Sequence, residues 1–404
     1  MSRSLPRLGV FGTGFASHKC IPLCRKIGFE VTAVWGITLE KARTLANEFD
    51  VPFHTSTLGD ILIRSDVELV MILTPPYLHA EISVKALSAG KHVIVEKPPS
   101  LSLSDVEKMV TTARYYPMLL SALDSNLRFL PAFLRMRDLI STGYCGDVLV
   151  TEVRLHHPPI VSSKGYNWLC DEAMGGGALS LSGCQMIDIV TFVTRQRAVE
   201  VNGFLETFVK ETSSIGGYRS ITSDDFCTFQ MRCSGGGCAT VTINTHMHSR
   251  FCMELLVVGT KGRLVVRNTE LYGQLNEERR ERLIVKDERD CGGINVDDPE
   301  ISRDIALPYL KGWILSMKAL KDAFSHRTSD RLTIDCMEQS LVQSVATFED
   351  GLYIQSVLDA IRLSSKRKRW AQVVMPEESA EANPFWTAAR PERASPMAHR
   401  AMQS

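Results

Sequence analysis

The first 125 residues alternate between unbroken apolar runs and amphipathic stretches. The runs are "RLGVFG" from Arg7, "FEVTAVWG" from Phe29, "VELVMILTPP" from Val67, "KHVIVEKP" from Lys91 and "PMLLSALDSN" from Pro117. Apolar runs without alternation predict strands covered on both faces, as in a parallel sheet. Between them, "TLEKARTLANEFDV", "YLHAEISVKALSAG" and "SLSDVEKMVTTARYY" predict helices. Gly90 stops the second of these. Ser102 or Ser104 caps the third, with Glu107 three residues beyond Ser104. Strand and helix in turn predict a doubly wound parallel sheet.

Beyond residue 125 the grammar changes. "LPAFLRMRDLISTG" reads as a helix, "DVLVTEVRLHH" as an alternating strand, and "GGGALSLSGCQMIDIVTFVT" as a turn and helix. "AVEVNGFLETFV", "DDFCTFQMRC", "GCATVTINTHMH" and "FCMELLVVGTKGRLVVRN" then follow as strands with few helices between them. The expected fold class is therefore α/β, with an N-terminal Rossmann parallel sheet (1–125). A C-terminal α+β domain (126–375) carries a large, mainly antiparallel sheet. Tyr309–Phe324 and Cys336–Leu363 read as late helices. Residues 277–300 read as a charged surface insertion, and 376–404 as a disordered tail rich in Ala, Pro and Glu.

Composition narrows the function class. The 46 basic residues balance the 46 acidic ones, which leaves no footprint for nucleic acid or a membrane surface. No run of 18 apolar residues exists, so no membrane span is expected. The 11 cysteines include no C-x-x-C pair, which predicts reduced thiols and a cytoplasmic setting. The N-terminal apolar stretch holds three glycines and then His18 and Lys19, so it reads as a strand entering a turn rather than a cleaved leader. His156, His157, His246 and His248 lie on predicted strands as surface or interface residues, and no metal site is expected. "SSKRKRW" (364–370) complements a helix C-terminus or serves as a nuclear address.

Gly12-Thr13-Gly14-Phe15-Ala16-Ser17 supplies the first two glycines of a dinucleotide-binding loop, with Ser17 in the third position. The first glycine allows the tight turn, and the second lets a pyrophosphate approach the backbone at a helix N-terminus. The second strand ends in Gly36, where an NAD-binding unit carries an acidic residue for the ribose 2′-OH. Thr38 follows, with Lys41 and Arg43 a turn away. With no carboxylate to repel a 2′-phosphate, NADP(H) is expected over NAD(H). In "VIVEKPP", Lys97 ends the fourth predicted strand beside Glu96. It reads as a solvated strand end or as a lysine facing a cleft on the rim of the phosphate loop.

"TPPYLH", "AGKHVIVEKP", "NLRFLPAF", "WLCDEAMGGGAL" and "GCQMID", in this order and spacing, resemble the glucose-fructose oxidoreductase/inositol dehydrogenase/MocA family. "ITSDDFCTFQM", "LYGQLN", "YLKG" and "FEDGLYIQSVLDAI" resemble its animal branch. The resemblance implies NAD(P)-dependent hydride transfer at a sugar or cyclitol carbon, with Lys97 catalytic. It implies an Asp and a His four residues apart on the helix after the glycines. Those positions hold Leu181 and Gln185, while Asp188 matches one turn later. Neither Leu181 nor Gln185 shuttles a proton near neutral pH, although Gln185 can hydrogen-bond a hydroxyl.

By the same resemblance Thr74, Pro75, His79, Glu96 and Asn126 join the cofactor site, with solvent the alternative for His79. Arg128 contacts cofactor or substrate, or forms a structural ion pair. Tyr166 and Trp168 stack on a sugar or pack as core. A homodimer through the C-terminal sheet and an unnamed small-molecule substrate complete the expectation. The alternative is a weakened nucleotide-binding protein that acts through partners, secreted and serving extracellular matrix assembly as the resemblance implies.

Overall fold

The computed structural model describes residues 5–160, 165–214, 217–248, 250–325 and 344–376. Strands β1 (Leu8–Phe11), β2 (Val31–Trp35), β3 (Phe53–Thr55), β4 (Leu69–Ile72), β5 (His92–Val95) and β6 (Ser121–Leu123) run parallel in the order β6-β5-β4-β1-β2-β3. β1, β2 and β4 are fully buried, which is why they read as unbroken apolar runs. Helices α1 (Phe15–Ile27), α2 (Leu39–Glu48), α3 (Leu58–Leu62), α4 (His79–Ser88) and α5 (Leu103–Tyr115) connect them. The Thr38 side chain accepts a hydrogen bond from Lys41 N at 3.3 Å and so starts α2. Ser102, not Ser104, caps α5, accepting from Asp105 N at 3.2 Å. The three-residue β3 is absent from the sequence reading, because "FHT" is only half-buried at the sheet edge.

Helix α6 (Pro131–Ser141) begins with proline at its first turn. Among the described residues the second sheet has nine strands: β7 (Val148–His156), β8 (Ala198–Glu206), β11 (Phe226–Cys233), β12 (Cys238–Asn244), β13 (Cys252–Gly259), β14 (Gly262–Arg267), β15 (Glu270–Leu275), β16 (Arg282–Val285) and β18 (Ala371–Gln372). Apart from this sheet, β9 (Glu211–Ser214) and β10 (Gly217–Ser220) pair antiparallel. Among the described residues only β7 and β12 pair in parallel within the large sheet; its other pairs are antiparallel. Val153, Leu155, Val241, Ile243, Leu255 and Val257 line one face. They pack against α6, α7 (Cys184–Thr194) and α10 (Phe348–Arg367). The helical stretch Glu172–Thr194 is apolar and long enough to cross a membrane by composition, but 83% of its 18-residue window is buried inside this core.

Three sequence expectations need correction. Residues 277–300 do not form a mere surface insertion. After β16, Cys291, Ile294 and Val296 are buried with Ile301 of α8 (Pro299–Ser302), against α1 and α9 (Leu307–Ser325). Each buried aliphatic side chain stabilises by about 1.5–3 kcal/mol. The surrounding charges hid this spacing, and one of them, Asp287, pairs with the buried Lys311 of α9. Of the late helix expected over Cys336–Leu363, residues 336–343 lie outside the described residues; Ser344 is helical, and a separate helix runs from Phe348. Ala346–Thr347 instead forms β17, antiparallel to β6, and Thr347 and Asp350 make a capping box. Residues 326–343 and 377–404 lie outside the described residues. Finally, His157, His246 and His248 are not on strands, because β7 ends at His156 and β12 at Asn244. Residues 307–325 and 346–347 follow eight of the nine strands of the second sheet in sequence yet lie against the first sheet.

Candidate functional site

The carboxyl ends of the parallel strands meet at one rim, and the strand order reverses between β1 and β4. After β1, Gly12 adopts φ +131°, and a Cβ there would lie 2.6 Å from the Leu73 carbonyl oxygen. Only glycine fits. Ser17, in the third fingerprint position, donates its hydroxyl to Gly12 O at 2.8 Å and ties the turn shut. Gly14 caps α1 without a side-chain hydrogen bond, and nothing lies within 4 Å of its Cβ position. An open glycine before uncapped helix amides is a cradle a side chain would fill, and it fits the phosphates of a dinucleotide. Thr13 and Ala16 flank this turn, and Phe15 is 57% exposed at its mouth.

Gly36, at the end of β2, is closed. A Cβ would sit 2.8 Å from Thr13 Cγ2 and 3.0 Å from Ala42 N. No acidic side chain fits there, so the ribose end is left to Thr38, Lys41 and Arg43, all exposed.

After β4, Thr74 is buried and its hydroxyl has no partner. His79 does not face solvent, which corrects that expectation for it. It is fully buried, with Nε2 2.7 Å from Thr74 O and Nδ1 2.9 Å from Pro98 O. Burial pushes its pKa down. The ring pins the Thr74–Pro75 turn to the cis Lys97–Pro98 turn. Lys97, after β5, is 6% exposed, and its ammonium has no hydrogen bond or ion pair among the described residues. The Glu96 side chain accepts from Lys97 N at 3.2 Å and hydrogen-bonds Asp124. Burial first, and then Asp124, pushes the Glu96 carboxyl up to about 8 against the pull of Lys97. Burial also raises Asp124, to about 6. Glu96 thus turns toward Asp124 and a cavity beneath the sheet that both line.

Helix α7 opens with a wider π-type turn, Leu179–Gly183, a feature frequent at functional sites. Asp224, unmarked in the sequence reading, accepts from Leu179 N at 2.8 Å, and burial raises it to about 6. A Cβ on Gly177 would lie 2.3 Å from Asp224 Oδ1, so this contact explains one glycine of "GGG". Leu181 lies in the π turn, and Gln185 Oε1 is buried without a partner, as is Asn126 Oδ1. Asp188 is unavailable for chemistry, since Arg128 donates to it at 2.5 and 3.1 Å and to Asp350 at 3.3 Å. Arg128 is therefore a structural ion-pair residue. Tyr166 bonds Asp171 and stacks under Arg219, and Trp168 is half-buried. His157 contacts the Ser182 hydroxyl at 3.1 Å, and His246 lies 3.3 Å from Asp225. Among the described residues no group of three or more His, Cys, Asp or Glu side chains is arranged to hold a metal, and the ten described cysteines are unpaired.

Asp124 was missed, though "ALDSN" ends an apolar run with a carboxylate just as "VIVEK" does.

Residues 6–122 match the oxidoreductase family with an NAD-binding Rossmann fold, and residues 133–265 match the GFO/IDH/MocA C-terminal domain. Human glucose-fructose oxidoreductase domain-containing protein 2 is 45% identical over 382 residues, 94% of this chain and 97% of that protein. An oxidoreductase domain protein from Kribbella flavida shares the fold with a TM-score of 0.75 at 24% identity, over 93% of this chain and 100% of that one. A levoglucosan dehydrogenase in complex with NADH and L-sorbose shares it with a TM-score of 0.73 at 20% identity, over 92% and 99%. With a phosphate cradle at β1 and a buried lysine at β5, the chain belongs to the GFO/IDH/MocA oxidoreductase family.

Proposed function

We propose that this protein is an NADP(H)-dependent oxidoreductase acting on a sugar-like or carbonyl substrate, with Lys97 handling the proton of the reacting oxygen. The observation that carries this reading is the buried, unpartnered Lys97 on the same rim as the phosphate cradle. Bound NADP(H) supplies the hydride carrier. The uncapped α1 amides and Gly14 receive its phosphates, and Lys41 and Arg43 face a 2′-phosphate across the closed Gly36. Thr74, Asn126 and Gln185 offer buried polar atoms that lack partners, suited to orienting a polyhydroxyl substrate. Lys97 Nζ takes or returns the hydroxyl proton as carbon is oxidised or reduced.

The test combines NADPH fluorescence with turnover on a panel of aldoses, ketoses and cyclitols. Gly14→Asp places a carboxylate in the cradle without a clash, and weakens NADPH at least about 100-fold. Lys97→Met keeps NADPH binding and lowers turnover by about 10²–10⁴-fold. Turnover that ignores Lys97→Met overturns the role of the lysine.

A second reading rests on Leu181 and Gln185, which leave Lys97 without an acid–base neighbour on α7. In it the protein binds nucleotide, turns over weakly and acts through partners, in the cytoplasm or in extracellular matrix assembly. NADPH binding with no Lys97-dependent turnover across the panel favours it. In either reading two copies pair through the open face of the nine-stranded sheet. Val150, Leu256 and Val258 are only half-buried there, and Val265 lies on the same face.

A further inference from the structure

Behind the lysine stands a buried carboxyl pair. Glu96 and Asp124 follow adjacent parallel strands, with Val95 opposite Leu123, and their side chains hydrogen-bond each other. Two carboxyl groups joined this way cannot both ionise, so they hold a proton between them. The pair lines a cavity of about 40 Å³ beneath the sheet, closed by Phe129 and by Trp313 and Met317 of α9. A space above about 10–15 Å³ accommodates water where polar partners exist. One such partner is present: Ser125 lines the cavity, is 2% exposed, and its hydroxyl bonds nothing.

The other ionisable groups facing this cluster are few. Cys20 and Cys24 of α1 and Cys184 of α7 lie within electrostatic reach of the carboxyls, and burial raises all three thiols. They stay protonated at neutral pH. The α9 residues lining the cavity, Trp313, Ser316, Met317 and Leu320, carry no charge. Among the described residues Lys97 is the remaining charged group, and it interacts electrostatically with both carboxyls.

We propose that Glu96 and Asp124 share one proton and serve as the proton reservoir of Lys97, in the role that Leu181 and Gln185 leave empty. The inference rests on the reading of Lys97 as the proton-handling group. In the oxidative direction an N–H bond of the Lys97 ammonium breaks as an O–H bond forms on the ionised carboxylate of the pair; the substrate O–H bond then breaks and an N–H bond re-forms on Lys97. Bound NADP would accept the hydride whose loss lets the electron pair left on oxygen complete the carbonyl. The pair passes from one proton to two, and reduction reverses each step. Glu96 and Asp124 touch no substrate; they are positioning residues for a proton.

The test needs no turnover. Full-length protein carrying ¹³C-labelled Lys, Asp and Glu is titrated by NMR, as wild type and as the isosteric Asp124→Asn and Glu96→Gln. The expected result is two coupled carboxyl steps, with one proton kept to neutral pH. The Lys97 midpoint moves by at least about one pH unit in either variant. Carboxyls that titrate independently below pH 5, or a Lys97 midpoint unmoved in both folded variants, overturn the proposal. Turnover adds a separate readout: in Asp124→Asn the pH profile of kcat shifts while substrate KM and NADPH affinity hold. A uniform loss with an unshifted profile marks a structural role and also overturns it. Coupled titration without Lys97-dependent turnover sinks the functional reading of the lysine instead and leaves the carboxyl coupling standing.

Discussion

At the β1–β2 end of the rim each feature serves an anion: a glycine turn tied by Ser17, an uncapped helix start, and a strand end closed to acidic side chains. At the β5–α7 end the same fold is furnished differently. Leu181 and Gln185, neither of which carries an acid–base group, open α7, and Asp188 is locked to Arg128. The ionisable groups beside Lys97, Glu96 and Asp124, lie in the sheet interior. Nucleotide geometry depends on backbone shape, which tolerates few residues. Proton handling depends on groups that only need to be near Lys97, and so can be relocated.

The hardest test of this contrast is Arg128→Ala. Arg128 joins the turn after β6 to Asp188 of α7 and to Asp350 at the capping box of α10. Its removal strands a buried carboxylate and costs about 3–5 kcal/mol, read as a lowered urea midpoint. NADPH binding by the folded fraction should persist. A cost below about 1 kcal/mol with lost substrate turnover would return Arg128 to the site and break the division drawn here.

The contrast also explains what the sequence made legible. The phosphate end was readable because its determinants are contiguous: one glycine loop and one strand end. Lys97 was readable from its place at the end of an apolar run. Asp124 carried the same local signal, but its meaning needs the β5–β6 pairing, which juxtaposes residues 28 positions apart. His79 was misjudged because both of its partners are backbone carbonyls, which leave no trace in side-chain pattern. Ile294 and Val296 were lost among charges for the opposite reason: two apolar residues are too few for a period, yet α1 and α9 cover them.

Glu96→Gln gives a smaller and sign-specific effect. The Glu96 carboxyl sits near 8 in the fold, above the unfolded value of 4.5. The folded state therefore holds a proton that the unfolded chain releases, and this contribution to stability falls as pH rises from about 4.5 to about 8. Glutamine does not titrate. Relative to wild type, the variant should gain thermal stability with rising pH, by on the order of 2 kcal/mol at pH 8 and little at pH 5. A difference that shrinks or reverses with pH would mean that Glu96 is an ordinary ionised carboxylate, and the interior would lose its claim to the proton.

The mildest test lies at the opposite end. Lys41 and Arg43 are exposed on α2, so their attraction for a 2′-phosphate is screened by water and salt. Exposed pairs contribute about 0.2–1 kcal/mol, so Lys41→Ala and Arg43→Ala should each weaken NADPH by about 1.5–5-fold. The loss should fade in 0.5 M salt, and NADH, which lacks the phosphate, should bind as before. Equal losses for both cofactors would place these side chains outside the ribose end. The preference would then rest on the closed Gly36 alone, through the carboxylate it excludes rather than any cation it recruits.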